Sequence, residues 1–311
     1  EARALAVEAI GLLEGAAVTD DDKRVLADAF RYHDIAASEL EGDDGMLHLD
    51  RALALYDEVG DELSMSKVLS LGGVRAYYRG DWTEAADLYG RAKDAADAGG
   101  DVVGAAIESA NAAEILIDQG RTGEARPLIK SALRVFTASD NSYLVAFVTG
   151  FAGRAAMRDG DADAAAAAFA DAAARFAALD EDDSAMDVRV RGIEADLERG
   201  EAERARATIA ELSGRGDVQG PVRSRLLRLS ARVAAADGDT EGAAALARDA
   251  AEVPGATPFE RALCLAELAT VTGSPVPRAA AESILADLGV TDIPLPLSSP
   301  TTPIPSEVPI P

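Results

Sequence analysis

Two histidines, one cysteine and 55 carboxylates are the side chains with which this chain could do chemistry. The alternating acids of Asp159-Gly160-Asp161-Ala162-Asp163 have the rhythm of a calcium loop. Ala164, however, holds the place of the obligatory turn glycine, and Ala170 that of the closing bidentate glutamate. A helix end followed by acids opening the next helix explains the run better. His33 and His48 flank a turn expected near residue 41 at similar distances, so they could face each other. With no third clear ligand they read as ordinary helix residues. Cys264, within Ala262-Leu263-Cys264-Leu265-Ala266, reads as a small buried hydrophobe, because a reactive thiol needs more cationic company than Arg261. No Ser/His/Cys constellation suggests nucleophilic catalysis, and two histidines supply a near-neutral general base poorly. None of the four lysines (Lys23, Lys67, Lys93, Lys130) follows a glycine, as a phosphate-cradling loop requires. The expectation is a chain without catalytic residues, cofactor or metal.

The elements that hold these residues come from an unusual composition. The chain has 311 residues, 48% of them hydrophobic but only 5% aromatic, and alanine alone fills 67 positions. Such a core is built from many small contacts between closely approaching backbones. The formal charge of −25 would repel a phosphate backbone, which excludes nucleic acid as a partner. No apolar run approaches the roughly 20 residues of a membrane-spanning helix, so no membrane partner is expected. A single cysteine allows no intrachain disulfide and points to a reducing, cytoplasmic location. The chain opens on Glu1-Ala2-Arg3-Ala4-Leu5 without a methionine or a signal pattern, which suggests a segment of a longer protein.

A period of 40 residues organises the sequence. Gly80, Gly120, Gly160 and Gly200 stand 40 apart, and Gly238 and Gly273 continue at 38 and 35. Each follows an apolar-periodic run, where a helix-terminating glycine belongs. Ala85, Ala125, Ala165 and Ala205 follow in register, then Tyr89, Ile129, Phe169 and Ile209. Ala92, Ala132 and Ala172 complete the stripe, with Ala52 one period earlier. Intervals of four and three put these residues on one helix face, small at both ends and large in the middle. Asp61, Asp101, Asn141 and Glu181 recur 40 apart, and aspartate and asparagine there suit helix N-termini. Pro127, Pro221 and Pro258 fall where first-turn prolines are expected.

Each period therefore reads as helix, tight turn, helix, short loop. The pattern predicts a lone helix near residues 2–13, then seven helical pairs to residue 289, about 15 helices in all. The expected fold is all-α: a right-handed superhelical solenoid of antiparallel pairs over 1–289, with no strands. Residues 290–311 form a separate tail. Seven prolines between Thr291 and Pro311 leave it extended or disordered.

Gly73, Gly80, Trp82, Ala85, Tyr89 and Ala92 together resemble a tetratricopeptide repeat, though 40 residues exceed the usual ~34. Later units depart from it: Ala113 and Ile193 stand where Gly73 does, Thr122 and Ala162 replace Trp82, and Ala247 replaces Tyr89. Three stretches are similar to a narrower group. They are His48-Leu49-Asp50-Arg51-Ala52-Leu53-Ala54-Leu55-Tyr56-Asp57-Glu58-Val59-Gly60-Asp61, Ala113-Glu114-Ile115-Leu116-Ile117-Asp118-Gln119-Gly120-Arg121 and Ala286-Asp287-Leu288-Gly289-Val290. They resemble the C-terminal repeat region of actinobacterial multidomain class III adenylate and guanylate cyclases. In that family a cyclase domain and a P-loop ATPase module precede the repeats. The resemblance implies a non-catalytic sensory or regulatory arm that works with its own upstream domains. Related repeats also end ATPase-type transcription regulators, and a free-standing peptide-binding adaptor is the other alternative.

A solenoid of this kind presents the first helix of each pair on its concave face, where a protein or peptide ligand would lie. Off the packing stripe of those helices stand Tyr77, Tyr78, Asn111, Glu114, Phe151, Arg154, Arg158, Arg191 and Glu194. Arg154, Arg158 and Arg191 would converge from adjacent repeats, flanked by aromatic rings, a composition typical of interaction hot spots. Such a cluster in an acidic molecule would suit an acidic peptide or a carboxylate terminus.

Overall fold

A computed structural model describes residues 2–17, 19–41 and 48–291. Its helices are α1 (Ala2–Leu13), α2 (Asp20–Glu41), α3 (Leu49–Glu58), α4 (Glu62–Arg79), α5 (Trp82–Ala98), α6 (Val102–Asp118), α7 (Thr122–Ala138) and α8 (Ser142–Arg158). They continue with α9 (Ala162–Ala177), α10 (Asp182–Glu198), α11 (Ala202–Ser213), α12 (Gly220–Ala236), α13 (Thr240–Ala251), α14 (Pro258–Thr272) and α15 (Pro275–Asp287). Among the described residues there is no strand. The expected lone first helix and the fourteen helices after it are present, and α2–α3, α4–α5, α6–α7, α8–α9, α12–α13 and α14–α15 pack as the expected pairs. The proline-rich tail lies outside the described residues beyond Thr291.

The turns explain why the helices stop. Gly80 ends α4 with φ +92°, a left-handed conformation that an L side chain adopts only at a cost. Gly120, Gly160 and Gly200 repeat it. A second left-handed column, offset by half a period, runs through Gly60, Gly100, Asp140 (φ +54°) and Asp180 (φ +57°). Aspartate tolerates this region better than most side chains, so the turn survives the change of residue. At the helix starts, the side chains of Asp61, Asp101 and Asn141 accept from the backbone N–H of Ser64 (3.1 Å), Gly104 (2.8 Å) and Leu144 (3.0 Å). Glu181 makes no such bond, since its longer side chain does not fit the cap geometry. Pro221 and Pro258 open their helices as expected. Pro127 does not: it is the sixth residue of α7, where it removes one intrahelical hydrogen bond.

The contacts divide the chain into two compact units, Glu1–Thr208 and a second beginning at Ile209. The boundary falls inside α11, just before Gly214, Gly216, Gly220 and Pro221 interrupt the pattern. Within the first unit each helix packs on the next, from α1 to α10; in the second, α12 to α15 do the same. Helix α4 also touches α6, α6 touches α8, and α8 touches α10, with α12 touching α14 in the second unit. These first helices of each pair form a continuous face within their unit.

Alanine's abundance is the packing code of these contacts. Ala85, Ala125 and Ala165, and Ala92, Ala132 and Ala172, are wholly buried. Between them, large and small residues compensate from repeat to repeat. A methyl group on Gly73 would meet the Tyr89 ring at 2.5 Å, and one on Gly153 the Phe169 ring at 2.7 Å. In the intervening repeat Ala113 joins the same buried cluster as Ile129. A smaller side chain on one helix thus accompanies a larger one on its partner, as close packing demands.

Candidate functional site

Helices α4, α6, α8 and α10 carry the nine sequence-predicted residues, whose exposure differs widely. Phe151 (5% exposed) belongs to the apolar core, 4.5 Å ring to ring from half-buried Phe147. Asn111 is buried too and donates its amide to Glu108 at 3.3 Å. The Glu108 carboxyl is pushed above its usual range by burial, against the hydrogen bonds from Ser70 and Asn111.

Of the three arginines, Arg154 is the most enclosed. It is buried, and its guanidinium binds two carboxylates of the preceding inner helix, Glu114 through Nη1 and Asp118 through Nη2 at 2.5 Å. The Tyr77 hydroxyl, from one helix further back, donates to Asp118 at 2.7 Å, with a Glu114 carboxylate oxygen 3.2 Å away. Burial, followed by Asp118 and Glu114, holds the Tyr77 hydroxyl well above its usual value. Burial alone would lower the proton affinity of Arg154, but the charges of Asp118 and Glu114 outweigh it, so the group stays cationic. Three consecutive inner helices are therefore tied by one buried polar network. The sequence reading missed Asp118, which sits at the last position of α6 and looks like a solvated helix end.

Arg191 is half-buried and paired with Asp187 one turn earlier, at 2.9 Å. Arg158 ends α8 beside Asp159. Burial resists ionisation of that carboxyl, yet Thr122, Arg126 and Arg158 together hold it below its usual value. Each of the three arginines thus has a carboxylate beside it. Helices α4, α6, α8 and α10 together carry ten carboxylates against seven cationic side chains, so their balance is negative.

Tyr78 is the open member. It is 53% exposed, yet its hydroxyl is raised above its usual value, first by the protein crowding around it, then by Glu114 and Asp187 against Arg191 and Arg154. Tyr78 stacks edge-on against Tyr77 at 5.5 Å, and Tyr77 lies flat on Trp82 at 5.8 Å. The Trp82 indole N–H in turn donates to the Tyr77 carbonyl at 3.2 Å. An aromatic ladder from the second helix of the pair thus backs the exposed ring.

The other chemical candidates resolve simply. Asp159, Asp161 and Asp163 each serve a different partner: Thr122 at 2.6 Å, the backbone N–H of Ala164 at 3.0 Å, and Arg199 at 2.7 Å. They build no calcium loop. Cys264 is wholly buried against the Ser224 hydroxyl at 3.3 Å, and burial pushes its thiol up to about 12. Sequence reasoning also missed a second buried network, in which Arg225 (3.2 Å) and Arg228 (2.9 Å) of α12 share Glu260 of α14. Arg232 pairs with Glu267 one turn on, at 3.2 Å. A cavity of about 490 Å³ where α7, α8 and α9 meet is lined by none of the nine residues.

No family model matches the chain, and no curated protein matches it. Solved structures do. BtubC (BKLC) from P. vanneervenii is 17% identical, with a TM-score of 0.47, over 80% of this chain and 88% of that one. A tetratricopeptide repeat protein from Parabacteroides merdae ATCC 43184 is 12% identical, with a TM-score of 0.49, over 90% and 98%. No helix of the described residues is long and apolar enough to cross a membrane.

Proposed function

We propose that this chain is a non-catalytic interaction scaffold that takes a protein segment on the face formed by α4, α6, α8 and α10. Tyr78 carries this reading: an accessible aromatic ring set among the charged side chains of three neighbouring helices. Large aromatic side chains bring much contact area at low entropic cost, which is why they anchor interfaces. The negative balance of the face favours a segment bearing lysine or arginine, not the acidic peptide that the arginines first suggested. Arg154 holds the floor rigid beneath it, so its replacement acts on folding before it acts on binding.

The sequence resemblance supports a more specific setting. In it, residues 1–289 are the repeat arm of a cytoplasmic multidomain nucleotide cyclase or signalling ATPase, and the segment bound is part of its own upstream domains. A free-standing adaptor and the arm of an ATPase-type transcription regulator are the competing settings. The coding sequence upstream of Glu1 decides among them. A cyclase domain and P-loop module there support the first, an immediate start codon the adaptor, and a P-loop module with a DNA-binding domain the regulator.

A further inference from the structure

The chain's only two histidines meet in the structure. His33 lies on α2, and His48 is the residue that precedes α3. Their rings are 5.0 Å apart, edge to face. Between them sits Asp34, 2% exposed. One of its oxygens lies 3.3 Å from His33 Nδ1, and the other accepts the His48 backbone N–H at 2.9 Å. One donor atom from each of the three side chains lies within 4.8 Å of the others. His48 Nδ1 is buried with no hydrogen-bond partner. That is costly for a ring nitrogen unless something else binds it. A cavity of about 10 Å³, close to the space one water needs, adjoins Asp34 and His48 and is otherwise lined by Arg31, Leu49, Ala52, Val68 and Leu71.

We propose that His33, Asp34 and His48 bind a divalent transition-metal ion of the zinc class, with the adjoining cavity holding a water as the fourth ligand. Two imidazoles and one carboxylate suit zinc and its neighbours, whereas calcium and magnesium take oxygen ligands. Around a tetrahedral ion with bonds of about 2.0–2.1 Å, ligand atoms stand about 3.4 Å apart. His33 and Asp34 already have that separation. Side-chain rotations of roughly an ångström bring in the rest. A carboxylate has lone pairs for both the ion and the His48 N–H, so the backbone bond survives binding. The nearby cations each have a partner that offsets their charge or holds them in place: Arg31 pairs with Asp28 at 3.0 Å, Arg75 donates to the Asp34 carbonyl at 3.1 Å, and Arg51 pairs with Glu14. The ion would tie α2 to the start of α3.

The test uses the 311-residue chain stripped with a chelator and titrated with Zn²⁺ against a chromophoric competitor. One equivalent should bind at micromolar affinity or tighter, and His33→Ala and His48→Ala should each weaken it by at least about 100-fold. Co²⁺ bound to the unmodified chain gives a reading that no variant's folding can confound. Intense visible bands of four-coordinate cobalt support the site. Weak six-coordinate bands, no zinc binding below millimolar, or binding that both histidine variants retain while folded would overturn it. In that last case surface carboxylates hold the ion, and the three residues are a hydrogen-bonded knot only.

Discussion

Arg154→Ala separates a structural arginine from a ligand-binding one. The substitution leaves Asp118, 3% exposed, and half-buried Glu114 facing each other without their cation. Breaking a buried ion pair by removing one partner costs about 3–5 kcal/mol. For a unit of this size each kcal/mol moves the thermal midpoint by about 2–4 °C, so the expected drop is on the order of 10 °C. Circular dichroism at 222 nm follows it, with urea unfolding as the independent measure. Because the penalty comes from stranded charge, removing the carboxylates as well should restore most of the loss. The triple variant Arg154→Met/Glu114→Gln/Asp118→Leu should therefore lie close to the wild type. A midpoint shift under about 2 °C for Arg154→Ala would instead put the guanidinium on the solvent side, as the sequence first suggested.

Other outcomes follow from the same structure. Gly153→Ala should destabilise by about 1–3 kcal/mol, because its new methyl meets the buried Phe169 ring at 2.7 Å. In a Phe169→Ile background it reproduces the Ala113 and Ile129 combination and should be neutral or stabilising; a coupling under about 0.5 kcal/mol in the double-mutant cycle would contradict the packing code. Glu108 has a carboxyl raised by burial, so the folded chain holds that proton more tightly than the unfolded one. The wild type should therefore lose stability relative to Glu108→Gln as pH rises above the ordinary carboxylate range, with the gap closing in acid; a gap that widens in acid reverses the sign and the argument. With its thiol pushed up to about 12, Cys264 should resist a thiol reagent at pH 8 in the folded chain and react fully in urea. Rapid stoichiometric labelling of the native chain would place the thiol at the surface.

What the sequence made legible was whatever repeats with its residue type intact. The Gly80 column, the Ala85 and Ala92 columns and the large residue between them all recur every 40 positions, so helix count and pairing could be read directly. The second left-handed column was hidden because glycine gives way to Asp140 and Asp180, and only backbone geometry reveals that the turn is unchanged. The division at Ile209 was hidden for a related reason, since the repeat shortens there without a change in composition. Charges misled most. Arg154 looked open because its partners, Glu114 and Asp118, lie about one repeat away, and no single-helix pattern links them. Glu260 with Arg225 and Arg228 escaped notice for the same reason. Asp34 was passed over as a companion to the histidines because adjacent helical residues ordinarily point apart. Here the backbone of His48, reaching Asp34 from the next helix, brings all three together.

The proposed role rests most directly on the inner face around Tyr78, and selection from a random peptide library displayed on phage tests it. Peptides carrying lysine or arginine should be enriched. Tyr78→Ala should weaken the selected peptides at least about tenfold, while the same change at exposed Tyr32 on α2 should leave them bound. Peptides that bind the Tyr78→Ala chain as tightly as the wild type, or a library that yields no enrichment at all, would contradict a segment-binding face at this place.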